Sequence, residues 1–240
     1  MQISTLERLV PEYIQPGEIT GQQTLDLHVE RYEFSAKQAN PGRILDIACG
    51  VGYGTRLLRD TIPGCHEAIG VDLSQESIAY AKEKYGKDSL YFVVGNALEF
   101  TDKEGFDTIV SLETIEHLPN PSGFISHILT LLKPGGIFIG SVPTTPTVDA
   151  NPHHLHDFTE ASFHQLFAQY HVQEKASFRQ TQPFNPITVL FRKESRLSDL
   201  RQNMAQYYLA HPQALLQRFW STLRFGFSNR YITIAWQSMR

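Results

Sequence analysis

The chain is poor in cysteine and in tryptophan, and it has no large excess of charge of either sign. Two cysteines in 240 residues, Cys49 and Cys65, cannot build a disulfide framework. A reducing, cytoplasmic setting is therefore the default expectation. The 21 basic and 25 acidic residues leave a formal charge of −4. That is too little, beside 41% apolar residues, for a disordered chain. It also offers no basis for coating a nucleic acid, and no nucleic-acid partner is expected. No run approaches the roughly 18 apolar residues of a membrane span. The first residues, Met1 to Tyr13, lack a basic segment followed by an apolar one, so no secretory leader is expected. Repeats and low-complexity stretches are missing as well. What is present is enough apolar material and length for one domain with a substantial core.

The small net charge conceals an asymmetry. Arg192 to Arg240 carries 8 basic and 2 acidic residues, a net of +6, against −10 for the remainder.

Short apolar runs alternate with helical patterns. Residues 1–40 read as peripheral helix, with Leu25, Val29, Tyr32 and Ala36 on one face, stopped by Asn40-Pro41-Gly42. Strands are expected at Arg43–Ala48, Ala68–Asp72, Leu90–Val94, Phe106–Ser111 and Ile137–Val142. Helices lie between them, one capped by Ser74 and one ending at Lys133-Pro134-Gly135-Gly136. A helix fits Glu160–Gln169, and late strands fit Val172–Arg179 and Tyr231–Trp236. A helical insertion is expected between those strands, about residues 194–225. This alternation predicts an α/β fold with a parallel sheet covered on both faces.

The sharpest feature is Asp46-Ile-Ala48-Cys-Gly50-Val-Gly52-Tyr-Gly54-Thr55, which follows the first strand and opens a helix. Glycines let the backbone turn and approach a ligand closely, and a helix N-terminus presents unpaired N–H groups. Asp72 ends the second strand, where a carboxylate accepts hydrogen bonds from ribose hydroxyls. Together these predict a cofactor containing a nucleoside. The dinucleotide pattern needs glycine at position 55, where Thr55 stands, and the phosphate loop ending in Gly-Lys-Ser/Thr is absent. An unliganded turn and a nicotinamide-binding protein are the competing readings.

At this point the residues carry a resemblance. Ile44-Leu-Asp-Ile-Ala-Cys-Gly-Val-Gly-Tyr-Gly-Thr55, Ile69-Gly-Val-Asp72, Val94-Gly-Asn96-Ala97, Phe106 to Leu118, and Leu132-Lys-Pro-Gly-Gly136 resemble, in order, the motifs of class I S-adenosylmethionine-dependent methyltransferases. The match covers about residues 28–143. It implies a Rossmann-like, doubly wound seven-stranded sheet, last strand antiparallel, with a helical cap. As one domain, it would comprise an N-terminal cap (1–40), a cofactor-binding core (43–180), a helical insertion (185–228) and a last strand (229–240). His28-x-x-Arg31-Tyr32-x-Phe34, the run Glu113 to Leu118, and Asn151 to Phe158 resemble a subgroup acting in small-molecule and glycan pathways. Two positions depart from the pattern: Asn96 replaces the usual aspartate, and Ala48 replaces the first glycine of the commoner form.

The resemblance implies S-adenosylmethionine as cofactor and S-adenosylhomocysteine as product. It places Arg31, Tyr32, Asp46, Ala48, Gly50, Gly52, Gly54, Asp72, Leu73, Asn96, Ala97, Leu112 and Glu113 at the cofactor. Arg31 is expected to pair with its carboxylate and Tyr32 to lie against it. His117 and His154 are the catalytic candidates, and Glu116, His153 and Asp157 are expected at the substrate. Asp157 either supports His154 or caps the helix that follows. Three histidines and an aspartate between residues 153 and 157 invite a metal, but their spacing matches no common zinc signature, and no metal is expected. The expected reaction is methyl transfer to a small-molecule hydroxyl, on a sugar or glycoconjugate. N-methylation and a non-catalytic cofactor-binding role are the alternatives. An acidic acceptor is favoured if the basic tail lines the pocket. For the run Arg218-Phe219-Trp220 to Phe227, aromatics packed on the sheet edge or on a homodimer partner are expected. A membrane-surface helix and a groove for an anion are the other readings.

Overall fold

A computed structural model describes residues 9–15, 17–191, 197 and 199–240. The apolar runs form β1 (Gly42–Ile47), β2 (Cys65–Asp72), β3 (Leu90–Val94), β4 (Phe106–Leu112), β5 (Leu132–Pro143), β6 (Val172–Pro183) and β7 (Ser228–Ser238). They make one sheet in the order β3-β2-β1-β4-β5-β7-β6. The first five strands are parallel. The chain's last strand, β7, lies antiparallel between β5 and β6. This is the expected seven-stranded, doubly wound arrangement, and its strand order reverses between β1 and β4, where such sheets bind ligands.

Helices cover both faces: α1 (Ile19–Gln38), α2 (Tyr53–Thr61), α3 (Gln75–Tyr85), α4 (Pro121–Thr130) and α5 (Glu160–Gln165). Tyr32, Leu58, Ile78 and Ala81 pack with Val110 and Ile137 on one face. Phe124, Ile128, Phe163 and Phe167 pack with Ile109, Phe138 and Trp236 on the other. The Trp236 ring stacks on Phe167 at 3.7 Å, which holds the α5 region against β7. Local chemistry sets the helix starts. Ser74 Oγ accepts from Ser77 N at 3.2 Å, as expected, and Asn120 Oδ1 accepts from Gly123 N at 2.9 Å ahead of Pro121. Both satisfy N–H groups that a helix cannot bond internally.

Several boundaries differ from the sequence reading. Lys133–Gly136 does not end a helix: α4 stops at Thr130 and these residues lie within β5. The pairing of β5 with β4 slips there, between Leu132 and Ile137. Pro134 has no N–H and Gly135 takes φ 71°, so the run forms a bulge in the strand. The α5 helix ends at Gln165 rather than Gln169. Both late strands extend beyond the expected limits, because β6 and β7 pair continuously to Pro183 and Ser228.

Between β6 and β7 the chain forms α6 (Pro186–Leu190), α7 (Met204–Ala210) and α8 (Pro212–Phe225). These helices fill the described part of the span between the two late strands. Residues 192–196 and 198, with three of the tail's basic residues, lie outside the described residues. The expected packing of α8 aromatics on the sheet edge is not found: Phe219 is 56% and Trp220 62% exposed. Arg218 points inward instead, so the face carrying Leu216, Phe219, Trp220 and Leu223 turns to solvent. No helix is long and apolar enough to cross a membrane, among the described residues.

Candidate functional site

Every parallel strand delivers a loop to the same edge of the sheet. After β1 the chain turns through Ala48, Gly50 and Gly52, with φ of 63°, 56° and 85°. Gly52 needs to be glycine twice over. Its φ is left-handed, and a Cβ there would sit 2.6 Å from the Phe92 ring and 2.7 Å from Ala81. At Gly54 a Cβ would collide with the Tyr32 ring. By contrast, a Cβ on Gly50 would meet nothing within 4 Å, so the loop opens outward at that residue.

The Asp72 carboxylate stands beside the opening. One oxygen accepts from Gly50 N at 3.0 Å and the other from Ser74 N at 2.8 Å. Leu73, next in the chain, is 72% exposed. After β3, Asn96 Oδ1 accepts from Leu98 N at 3.0 Å and shapes the turn holding Ala97; Asn96 and Ala97 are both half-buried, as is Leu112 at the end of β4.

Asp46 and Tyr32 lie behind this surface. Asp46 is buried and accepts from Thr55 Oγ1 at 2.6 Å and from Tyr32 OH at 3.2 Å. Burial pushes its carboxyl up to about 7, with the nearby Asp72 charge adding to the rise. Burial also pushes the Tyr32 hydroxyl up. The tyrosine buttresses the glycine loop from within α1. Arg31 is 1% exposed and stacks its guanidinium over the Tyr231 ring of β7, 4.3 Å from the centroid.

The other half of the site follows β4 and β5. Glu113 takes a left-handed φ of 49° and is strapped to β5 by Ser141. Its N–H donates to Ser141 Oγ at 3.0 Å, and that hydroxyl donates to Glu113 Oε1 at 2.7 Å. The short turn Ile115–His117 follows. The Glu116 carbonyl accepts from Leu155 N at 2.9 Å and His156 N at 3.2 Å, fastening the 151–157 loop to this turn. That bond pattern sets the His117 and His154 rings edge to face, 4.5 Å apart.

Glu113, Glu116, His117 and His154 line a cavity of ≈ 1210 Å³, whose apolar wall includes Phe184 and Met204 from the cap region. His153 and Asp157 are not among its lining residues. The His153 carbonyl bonds His117 Nδ1 at 3.2 Å. Asp157 Oδ1 accepts from Thr147 N at 2.7 Å and Val148 N at 3.1 Å. It neither supports His154, whose Nδ1 meets Thr147 Oγ1 at 2.7 Å, nor caps α5, whose cap is Thr159. A short hydroxyl reaches the α5 N–H groups, while Asp157 satisfies backbone donors of its own loop.

One functional element had no signal in the sequence. Asp149, 1% exposed, binds Arg218 of α8 at 2.5 Å and accepts from Tyr208 OH of α7 at 2.6 Å. Burial alone would raise its pKa, but the Arg218 hydrogen bonds and charge outweigh this and hold it below the usual range. Arg201 donates to the carbonyls of Asp149 and Val148 at 3.0 and 3.1 Å. These contacts clamp the cap onto the cavity rim. Only a lone aspartate and scattered arginines mark them in the sequence.

Residues 45–140 match the family described as methyltransferase domain. The chain is 33% identical over 117 residues to the phthiotriol/phenolphthiotriol dimycocerosates methyltransferase of Mycobacterium tuberculosis, covering 46% of this chain and 42% of that protein. It is 31% identical over 116 residues to the mitochondrial ubiquinone biosynthesis O-methyltransferase of Dictyostelium discoideum, covering 42% and 36% respectively. The chain thus spans less than half the length of these two relatives. The fold is similar to that of the N-methyltransferase NodS from Bradyrhizobium japonicum, solved with S-adenosylhomocysteine. There the TM-score is 0.62 at 14% identity, over 91% of this chain and 88% of that one.

Proposed function

From the methyltransferase domain matched over residues 45–140, we propose that this protein binds S-adenosylmethionine and transfers its methyl group to a hydroxyl of a small-molecule acceptor. The observation that carries the reading is the Asp72 carboxylate, held by Gly50 N and Ser74 N beside the open face of Gly50. Those residues fit the cofactor. Asp72 would accept the ribose hydroxyls, Leu73, Asn96, Ala97 and Leu112 would hold the adenine end, and the N–H groups of the loop would hold its polar groups. When bound, the cofactor supplies an electrophilic methyl group on a good leaving group. The chain's task is to align the acceptor with it and keep water out.

His117 and His154 stand in the cavity next to the cofactor half of the site. They orient the acceptor hydroxyl, and an imidazole Nε2 takes its proton as the oxygen attacks. Glu113, braced by Ser141, sits between the two halves and positions both ligands. The pair of imidazoles favours oxygen over nitrogen as the acceptor atom, since an amine acceptor needs little more than orientation. The cavity of ≈ 1210 Å³ has room for an acceptor larger than a bare monosaccharide. A sugar acceptor would be the hydroxyl-bearing end of a glycoconjugate with an apolar remainder. Arg218 gives its charge to Asp149, which leaves an acidic acceptor less favoured than the charge asymmetry of the chain suggested.

Calorimetry with S-adenosylmethionine and S-adenosylhomocysteine tests the cofactor assignment. Both should bind, and Asp72→Ala should weaken them by about 100-fold, the loss of two charge-assisted hydrogen bonds. A folded protein that binds neither sinks the reading. Cofactor binding without any labelled methyl transfer into small-molecule fractions would favour a non-catalytic binding protein.

A further inference from the structure

Three potential metal ligands converge in the cavity from two separate segments. One ligand atom each from Glu116, His117 and His154 lie within 4.8 Å of one another. Their spacing in the sequence conceals this, because 37 residues separate His117 from His154 and the Glu116 carbonyl brings the two segments together.

The hydrogen bonds around the rings give the cluster a direction. His117 Nδ1 faces the His153 carbonyl at 3.2 Å. A carbonyl only accepts, so Nδ1 carries the hydrogen and the neutral ring presents its lone pair at Nε2. That Nε2 lies 3.9 Å from Glu116 Oε1. A proton on Nε2 or a cation held between the two groups makes that approach attractive. His154 Nδ1 is likewise engaged, by Thr147 Oγ1; with that hydroxyl accepting from Nδ1–H, Nε2 is left as its ligand atom. Metal-binding histidines are commonly fixed in this manner by a bond to the other ring nitrogen.

We propose that Glu116, His117 and His154 bind one divalent first-row transition-metal ion in the cavity, and that this ion holds the acceptor hydroxyl. Two imidazole nitrogens and one carboxylate suit zinc, cobalt, nickel or iron(II) better than magnesium or calcium, which prefer oxygen ligands. Three protein ligands leave further positions open to the cavity. Ligand atoms about 2.1 Å from one ion lie at most about 4.2 Å apart, so the side chains would have to draw together slightly from the present limit of 4.8 Å.

The proposal deepens the methyl-transfer reading and rests on it. It replaces direct proton transfer to an imidazole. The ion takes the acceptor oxygen as a ligand and lowers its pKa, so the O–H proton passes to solvent. As the new C–O bond forms, the S–CH3 bond breaks and its electron pair returns to sulfur, leaving a neutral thioether. Because the ion itself favours oxygen anions, the proposal selects a hydroxyl acceptor over an amine.

The test uses the untagged full chain, stripped with a chelator and titrated with Co2+ while visible absorption and bound metal are recorded. We expect about one Co2+ per chain, with the d–d bands of a low-coordinate site. Glu116→Gln and His154→Gln should each weaken binding by more than about 10-fold, and Thr147→Val, which removes only the bond orienting His154, by about 10-fold. S-adenosylhomocysteine affinity, measured on the same samples, should stay at the wild-type value and so report that the variants are folded. A wild-type protein that takes up no Co2+ overturns the proposal and leaves an imidazolium–carboxylate pair at the site. Uptake that these variants do not alter overturns it as well. Loss of S-adenosylhomocysteine binding in the wild type would instead bring down the methyl-transfer reading, whatever cobalt does.

Discussion

Ala48 and Asp46 show how single residues are held in costly states to shape the loop. Ala48 takes a φ of 63°, a conformation that costs a residue with a Cβ roughly 1–2 kcal/mol. Ala48→Gly should therefore raise stability by about 0.5–1 kcal/mol after the added chain entropy of glycine, seen as a higher urea midpoint. An unchanged or lower midpoint would mean that the methyl group makes compensating contacts. Asp46 has its pKa raised by burial from 3.8 to about 7. A raised folded pKa means that its contribution to stability is full below the unfolded value and is lost as pH rises through about 7. Wild type should thus lose stability relative to Asp46→Asn between pH 4 and 7, by at most about 4 kcal/mol. Parallel pH profiles for the two proteins would refute this. The motif around Asp46 was legible in the sequence because a glycine pattern is local. That Asp46 would face inward, onto Thr55 and Tyr32, was not, since it depends on α1 packing behind the loop.

At the level of elements, the cap is the part most dependent on one interaction. Both α7 and α8 reach the cavity rim through Asp149. Asp149→Ala leaves the Arg218 charge without its carboxylate, a change of roughly 3–5 kcal/mol for a buried pair. The expected result is local: faster proteolysis within residues 204–225, with S-adenosylhomocysteine binding retained. Global unfolding at the same denaturant concentration would show that the clamp belongs to the core. Since Asp149 is held below its ordinary range, its contribution is present above the unfolded pKa and lost as pH falls through the folded one. Wild type should show the same loosening only in acid, below about pH 4. The strands and main helices were readable from periodicity, yet the stop of α4 was misplaced. Lys133–Gly136 has the composition of a helix terminator, and only its pairing with β4 makes it a bulge.

Across the whole molecule, the sheet divides the work. The carboxyl ends of β1 to β3 hold the proposed cofactor half, and the segments after β4 and β5 hold the acceptor half, with the cap over it. Central strands buried on both faces should exchange amide hydrogens slowest, and α6 to α8, with few buried side chains, fastest. Adding S-adenosylhomocysteine should protect residues 46–54 and the segments around Asp72 and Asn96 while leaving α8 unchanged. Protection confined to the cap would place the ligand elsewhere. The charge asymmetry also acquires a location. Arg218 is bound to Asp149, Arg201 donates to backbone carbonyls, and Arg224 and Arg230 stack on Phe225, so much of the tail's positive charge holds structure together.

The amino-acid sequence alone determined the order of strands and helices, the glycine loop and the carboxylate at the end of β2. Each of these is written within a few consecutive residues, through periodicity, turn chemistry and left-handed backbone. Tertiary structure alone decided which distant residues meet. It set Glu116 and His117 against His154, left His153 and Asp157 out of the cavity lining, and joined Asp149 to Arg218. Those pairings arise from long-range packing and from loop backbone hydrogen bonds, and no local pattern encodes either.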